Sequence, residues 1–270
     1  YSFAQREDWP AHFSPQSVLL DYFGDCADEL GIREHIRFET EVIAAEFDDE
    51  QAIWSVTLRG ADGEVETLTA NVVVSAVGQL NRPSLPPITG REEFEGPSWH
   101  SAEWDHSVPL AGKRVAVIGT GASGIQLIPA IAEEVGELLV FQRTPNWLTP
   151  TPQYYDALSD EAQWLFRELP TYGQWYRFWL FWQLAEGMLP AARVDPEWVS
   201  DGRSVNAISD QLRVMLTAYL EGQFADRPDL QASVVPEYPP LAKRMLLDNG
   251  IWARTLKRTN VQLVTADIER

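Results

Sequence analysis

The chain has 270 residues, which allows a sizeable core in one or two domains. It carries 21 Lys and Arg against 40 Asp and Glu, and the formal net charge of −19 argues against nucleic acid or an anionic membrane as a partner. A single cysteine, Cys26, excludes an internal disulfide and a thiol metal cluster, as expected of a reducing, cytoplasmic compartment. No signal peptide opens the chain, and charged and polar residues interrupt its most apolar stretch, residues 172–189, so we expect no membrane span.

The first part of the chain predicts a helix followed by a series of strands. Residues 1–16 have no periodicity and are expected to be a loop. Apolar residues at helical spacing predict a helix over 17–30, with Gly31 just beyond its end. Strands are predicted at residues 36–38, 42–44, 54–58, 65–68 and 72–78, with a tight turn at 60–63. This order is typical of the second half of a nucleotide-binding domain that carries a β-meander.

A glycine-rich motif follows the Pro-rich connector at residues 79–112. The apolar residues 115–118 predict a strand buried on both faces, and residues 125–135 predict a helix. Between them, residues 119–124 read GTGASG and satisfy G-x-G-x-x-G in the strand–turn–helix context that a dinucleotide site requires. Its predicted cofactor-binding residues are Gly119, Thr120, Gly121, Ala122, Ser123, Gly124 and Gln126. The alternative is a glycine-rich turn that binds no ligand.

The three glycines have different expected roles. Gly119 permits the tight turn, Gly121 lets the backbone approach a pyrophosphate, and Gly124 lets the helix pack closely on the strand. The N-terminus of the helix presents free amide groups and a partial positive charge to the phosphates. The sequence therefore predicts a dinucleotide cradle at this turn.

The end of the next strand indicates which dinucleotide binds. The strand predicted at 138–142 is followed by Arg143 and Thr144, where an NAD site usually places a carboxylate for the ribose 2′-hydroxyl. A guanidinium can instead bind a 2′-phosphate with two parallel hydrogen bonds. This position favours NADPH, and the alternative is a solvated arginine at a strand end.

The remainder is expected to be largely helical. After a loop at residues 144–152, residues 153–222 are helical and rich in aromatic side chains, as either a cover over a ligand cleft or a packing layer. Residues 172–189 are interpreted as a buried or lid-forming helix. A last short strand is predicted at 261–264.

Residues 94–105 connect the chain to a known family. Phe94, Gly96, His100, Trp104 and Asp105 fit F-x-G-x-x-x-H-x-x-x-W-[P or D], which resembles the fingerprint of the Baeyer–Villiger monooxygenases, class B flavoproteins. In that family the fingerprint precedes the NADPH-binding glycine triad, as it does here. The Lys243-Arg244 pair also resembles the segment that carries the family's active-site arginine.

The resemblance implies an α/β flavoprotein with two dinucleotide-binding domains, and FAD and NADPH as cofactors. It implies insertion of one oxygen atom of O₂ beside the carbonyl of a small apolar ketone, giving an ester or lactone. Arg244 would stabilise negative charge during oxygenation, Lys243 would join Arg143 and Thr144 at the 2′-phosphate, and His100 would be a hinge hydrogen-bonder. A structural alternative is that Arg244 merely pairs with Asp248.

The family pattern also predicts the division of the chain. The expected segments are residues 1–82 from an incomplete FAD-binding domain, 83–112 as linker, 113–152 and 236–270 in the NADPH-binding domain, and 153–235 as helical insertion. The family's FAD glycine motif is absent, so the chain is expected to be an internal fragment. Alternative functions are a flavin monooxygenase that oxidises nitrogen or sulfur, and an NADPH-binding module without chemistry of its own. The oligomeric state is left open.

Overall fold

A computed structural model describes residues 1–269 and shows an α/β protein. The chain divides into two compact units. The first contains residues 1–4 and 15–84, and the second contains residues 5–14 together with the chain from residue 85 onward.

The first unit consists of one helix and an antiparallel meander. Helix α1 spans Gln16–Glu29, and Gly31 beyond its end has a φ of 62°, so the predicted helix is confirmed. Strands β1 (Glu41–Asp48), β2 (Ile53–Arg59) and β3 (Val65–Ala70) form a sheet in that order. Alternation on β2 buries Val56 and Leu58, as period-two patterning requires.

Two strands predicted in the first unit are wrong. Residues 36–38 form no strand, because a 3₁₀ turn at Arg33–His35 precedes them and the chain continues through a further turn. Residues 72–78 are irregular, and Val72 and Val74 are 72% and 81% exposed. Within the described residues no strand pairs with this run, so its backbone lacks the ladder that a buried strand needs.

The second unit is built on a parallel sheet. Strands β4 (Arg114–Ile118), β5 (Glu137–Phe141) and β8 (Val261–Val264) lie in the order β4-β5-β8, and all three were predicted. Helix α2 (Gly124–Ile131) follows β4, and helix α8 (Ile251–Leu256) precedes β8. Side chains from these helices and strands share one buried core, which includes Ile128, Leu138, Val140, Trp252 and Leu256.

Two local predictions about this unit need correction. Strand β4 is not buried on both faces, because Ala116 and Ile118 on one face are exposed, Ile118 by 53%, while Val115 and Val117 on the other face are half-buried. Helix α2 ends at Ile131 instead of continuing to residue 135. The side-chain amide of Asn260 donates to the carbonyls of Ala132 and Val135 at 2.8 and 3.0 Å, which satisfies the groups that a longer helix would have bonded.

A second, two-stranded parallel sheet has one strand within residues 144–152, where the sequence predicted a loop. It pairs β6 (Leu148–Pro150) with β7 (Leu246–Asp248). The segment between them is helical, as predicted, and comprises α3 (Asp160–Glu168), α4 (Tyr172–Phe181), a π-helical turn (Trp182–Glu186), α5 (Leu189–Ala192), α6 (Ala207–Gln223) and α7 (Pro228–Val234).

Residues 172–189 were interpreted as a buried or lid-forming helix. Helix α4, which covers the first part of this segment, is not buried, so the first alternative is wrong. Its residues Trp175 and Phe181 are 68% and 57% exposed. Across residues 1–269, no helix is both long enough and apolar enough to cross a membrane.

Candidate dinucleotide-binding site

The turn between β4 and α2 has the geometry that its three glycines require. Gly119 has a φ of +100°, a conformation that side chains rarely adopt, and its amide donates to the carbonyl of Phe141 on β5 at 2.9 Å. A Cβ added at Gly124 would lie 2.5 Å from the carbonyl oxygen of Gly119, so the first turn of α2 packs against the backbone of the turn. Gly121 is exposed and has open space where a Cβ would stand.

The turn exposes Gly121 and Ser123, whereas the Thr120 side chain is buried. The amides of Ile125, Gln126 and Leu127 already donate to the carbonyls of Gly121 and Ser123 at 2.9–3.2 Å, so the amides that can donate to an anion here are those of residues 120–124. Ser123 makes no side-chain cap at this helix. Gln126 folds its side-chain amide back onto the carbonyl of Ala122 at 2.7 Å, which closes one side of the turn.

A polar cluster of Thr120, Gln142 and Asn146 holds the glycine turn through hydrogen bonds. Thr120 and Gln142 are each 4% exposed. Asn146 donates to the Thr120 carbonyl at 2.7 Å, and Gln142 donates to the Ser233 carbonyl at 2.6 Å. The cluster therefore ties the glycine turn to the end of β5. Sequence reasoning missed Asn146 and the support role of Gln142, since neither belongs to a motif.

The end of β5 presents Arg143 and Thr144 next to this cluster. Arg143 is exposed and forms no ion pair with any residue in the described part of the chain. Thr144 is half-buried. No carboxylate stands at this strand end, so its electrostatics favour an anionic group.

The predicted Lys243-Arg244 pair is attached to the same strand end through Tyr238. The Tyr238 hydroxyl donates to the Pro145 carbonyl at 3.0 Å, and the ammonium of Lys243 lies 4.6 Å from the centre of the Tyr238 ring. The indole N–H of Trp147 donates to the Tyr238 carbonyl at 2.9 Å. The structure thus connects the Lys243 segment to the Arg143 loop, although 100 residues separate them in the chain.

Arg244 is exposed, and its expected structural partner is already engaged. Asp248 is 1% exposed and accepts hydrogen bonds from the Tyr219 hydroxyl at 2.8 Å and from the Gly250 and Trp252 amides at 2.9 and 3.2 Å. Burial, together with this hydrogen bond to Asp248, raises the pKa of Tyr219. The alternative that Arg244 merely pairs with Asp248 is wrong, and no ion pair of Arg244 occurs among residues 1–269.

The fingerprint residues form a folded connector. Phe94 is 65% exposed, and its ring covers Gly96, where a Cβ would lie 2.7 Å from ring atoms. Trp104 packs edge-on against Trp99 with ring centroids 5.5 Å apart and contacts the core of the second unit. The connector is therefore anchored by aromatic packing.

The polar fingerprint residues bond locally. His100 accepts from the Ala102 amide through Nδ1 at 3.1 Å, so this hydrogen bond caps a short 3₁₀ turn and does not reach another element. Asp105 accepts from the Ser107 hydroxyl and amide, and these bonds hold the pKa of its carboxyl below the usual value. Within the described residues, no cluster of His, Cys, Asp or Glu could hold a metal ion.

Comparison with known proteins identifies related sequences and structures. The family model described as flavin-binding monooxygenase-like matches residues 1–153. An uncharacterised monooxygenase of Sinorhizobium fredii is 46% identical, over 98% of this chain and 40% of its own length. A Baeyer–Villiger monooxygenase of Streptomyces coelicolor is 37% identical, over 99% of this chain and 48% of its own length.

Two solved structures resemble this chain over 95% or more of its length. The crystal structure of OTEMO in complex with FAD and NADP matches with a TM-score of 0.76 at 30% identity, covering 97% of this chain and 53% of that chain. Cyclohexanone monooxygenase from Rhodococcus sp. Phi1, bound to NADP⁺, matches with a TM-score of 0.73 at 27% identity, over 95% of this chain and 51% of that chain. The chain spans about half the length of the proteins it matches.

Proposed function

Because the chain belongs to the flavin-binding monooxygenase-like family, we propose that it forms the NADPH-binding part of an FAD- and NADPH-dependent Baeyer–Villiger monooxygenase. The proposed reaction inserts one oxygen atom of O₂ beside a ketone carbonyl and gives an ester or lactone. The proposal extends to a small apolar ketone as substrate and to a cytoplasmic location. It also includes the division into partial FAD domain, linker, NADPH domain and helical insertion expected from the sequence.

One observation carries the cofactor assignment. A glycine turn with open space at Gly121 lies beside a strand end that bears Arg143 and no acid. Acidic residues outnumber basic ones 40 to 21 in this chain, yet neither Arg143 nor Lys243 has a carboxylate partner among the described residues. Two cations without a carboxylate partner suit the 2′-phosphate that distinguishes NADPH from NADH.

Different residues are assigned to the pyrophosphate and to the 2′-phosphate of the dinucleotide. We assign the pyrophosphate to the amides of residues 120–124, since Gly121 leaves room for close backbone approach and the helix N-terminus favours negative charge. We assign the 2′-phosphate to Arg143, Thr144 and Lys243. In the described residues no second glycine turn of this kind occurs, so the flavin is proposed from the family.

Arg244 is the residue to which we assign the oxygenation step. When bound, NADPH supplies hydride and the flavin supplies the oxygen chemistry. The chain's own contribution is a fixed cation that balances negative charge developing on oxygen, which is costly in a site shielded from water. A guanidinium suits this role because it stays protonated at any working pH.

The fingerprint connector is assigned a mechanical role. Trp104 anchors it on the core of the second unit, while the hydrogen bond that His100 accepts from Ala102 remains local. We propose that His100, Phe94, Gly96 and Asp105 shape this connector and do not handle protons of the substrate. His100→Ala should then reduce the coupling of NADPH use to product without changing the type of product.

The reaction class is tested by substrate competition in the full-length protein. Purified enzyme with FAD, NADPH and ¹⁸O₂ is offered a cyclic ketone together with a tertiary amine. The expected product is a lactone that carries one ¹⁸O atom, at a higher rate than any N-oxide. Exclusive N-oxide formation would contradict the proposed reaction and favour a heteroatom-oxidising monooxygenase.

A further inference from the structure

The segment that carries Lys243 is held by four contacts of one residue, Tyr238. Tyr238 places its ring under the Lys243 ammonium at 4.6 Å, donates its hydroxyl to the Pro145 carbonyl at 3.0 Å and accepts from the Trp147 indole through its backbone. Its ring also packs edge-on against Trp147 at 6.4 Å. Tyr238 therefore contacts both sides of the region to which the 2′-phosphate is assigned.

The backbone between Tyr238 and Lys243 is fixed in an unusual conformation. The Ala242 amide donates to the Pro239 carbonyl at 3.2 Å, which closes a four-residue turn. Leu241, the third residue of this turn, has a φ of +69°, a region that glycine normally occupies. Strain of this kind persists only where the surroundings impose it, and it often marks a preorganised functional segment.

Apart from the Tyr238 ring, no charged partner orients the Lys243 side chain among the described residues. The Lys243 side chain is exposed, and no carboxylate in residues 1–269 pairs with it. A flexible four-carbon stem loses much conformational entropy when a ligand fixes the ammonium. An aromatic face that already holds the ammonium reduces this loss, because the cation–π contact favours one region of side-chain space.

We propose that Tyr238 is a positioning residue for cofactor choice. It holds the Lys243 ammonium, at a fixed place relative to the Arg143 loop, for the 2′-phosphate of NADPH. This inference rests on the proposed function, because it presupposes that Lys243 meets that phosphate. It adds that discrimination between NADPH and NADH depends on a neutral aromatic side chain that touches no phosphate.

The ring contact of Tyr238 with Lys243 and its hydroxyl bond to Pro145 can be separated by substitution. Tyr238→Phe keeps the ring under Lys243 and removes the hydroxyl bonded to Pro145. Tyr238→Leu removes the aromatic face as well. The bond from Trp147 is to the backbone carbonyl and survives in both variants.

The experiment measures the dissociation constants of NADP⁺ and NAD⁺ by calorimetry on the full-length FAD-loaded enzyme. Lys243→Met should lower the preference for NADP⁺ about tenfold or more, the value of one charged hydrogen bond. Tyr238→Leu should lower that preference about fivefold, within the range of a cation–π contact, and Tyr238→Phe less than about twofold. Adding Tyr238→Leu to Lys243→Met should lower the preference no further.

A matched control separates positioning from damage to the fold. Tyr219→Leu removes another half-buried tyrosine ring of the same unit, one with no cation on its face, and should leave the NADP⁺ preference unchanged. If Tyr238→Leu weakens both nucleotides equally, or if its effect persists in full beside Lys243→Met, the positioning role is wrong. If Lys243→Met and Arg143→Ala both keep the wild-type preference, the assigned 2′-phosphate site itself fails.

Discussion

The glycine turn allows stability and cofactor binding to be separated by two single-methyl substitutions. In Gly124→Ala the new Cβ would lie 2.5 Å from the Gly119 carbonyl oxygen and 3.3 Å from its carbonyl carbon. Both are backbone atoms, so α2 or the turn must shift. In Gly121→Ala the new methyl meets nothing within 4 Å and the backbone needs no positive φ, so the fold accepts it.

The magnitudes follow from this difference. Forcing a methylene-sized group into a packed contact costs about 1–3 kcal/mol, and the better helix propensity of alanine returns at most about 1 kcal/mol. Gly124→Ala should therefore lose about 1–2 kcal/mol of stability, or roughly 2–8 °C in Tm for a domain of this size. Gly121→Ala should change stability by less than about 0.5 kcal/mol, as surface substitutions do.

Cofactor binding should respond in the opposite way to the two substitutions. The methyl of Gly121→Ala stands where the pyrophosphate is assigned, and a clash of about 1–3 kcal/mol corresponds to a loss of about 5- to 150-fold in NADP⁺ affinity. Differential scanning calorimetry gives Tm, and isothermal titration gives the dissociation constant, on the same full-length samples. Wild-type NADP⁺ affinity in Gly121→Ala would refute the assignment of the pyrophosphate to this turn. An unchanged Tm in Gly124→Ala would refute the packing argument.

Substitutions at three further residues test the remaining assignments. Arg143→Ala should weaken NADPH about 10- to 100-fold and NADH little, because one charged hydrogen-bonding group is lost, and equal losses in calorimetry would contradict the 2′-phosphate site. Arg244→Ala should abolish ester formation while NADPH still binds, and Arg244→Lys should recover little; product yield per NADPH consumed measures both, and a normal yield would remove Arg244 from the oxygenation step. Tyr219→Phe should cost about 1 kcal/mol in urea unfolding, since buried Asp248 loses one of its donors, whereas unchanged stability would show that the two backbone amides suffice.

The parts of the site that lie close together in sequence were predictable. A turn such as residues 119–124 is specified by local steric demands, so the roles of Gly119 and Gly124 follow from the amino-acid sequence alone. Helix α1 and the hairpin of β2 and β3 were predictable for the same reason, since their periodicity lies within each segment.

The supporting contacts could not be predicted from the sequence. Gln142 reaches Ser233, and Trp147 reaches Tyr238, each across 91 positions. An Asn, Gln or Tyr outside a motif gives no signal of such a partner, because side-chain amides and hydroxyls bond to any carbonyl that the fold brings near. The sequence also gave no indication that the Asp248 carboxylate would accept hydrogen bonds from Tyr219 and two backbone amides. Arg244 therefore does not pair with Asp248.

The run at residues 72–78 shows why burial is harder to predict than periodicity. Its valines have high strand propensity and resemble a strand buried on both faces, yet Val74 is 81% exposed. Propensity belongs to the segment, whereas a buried parallel strand also needs neighbours on both edges and elements on both faces. Strand β5 has such neighbours in β4 and β8, and its Leu138 and Val140 are fully buried. The same apolar composition therefore gives a core strand in one place and an exposed segment in the other, because β5 pairs with two strands whereas residues 72–78 pair with none among the described residues.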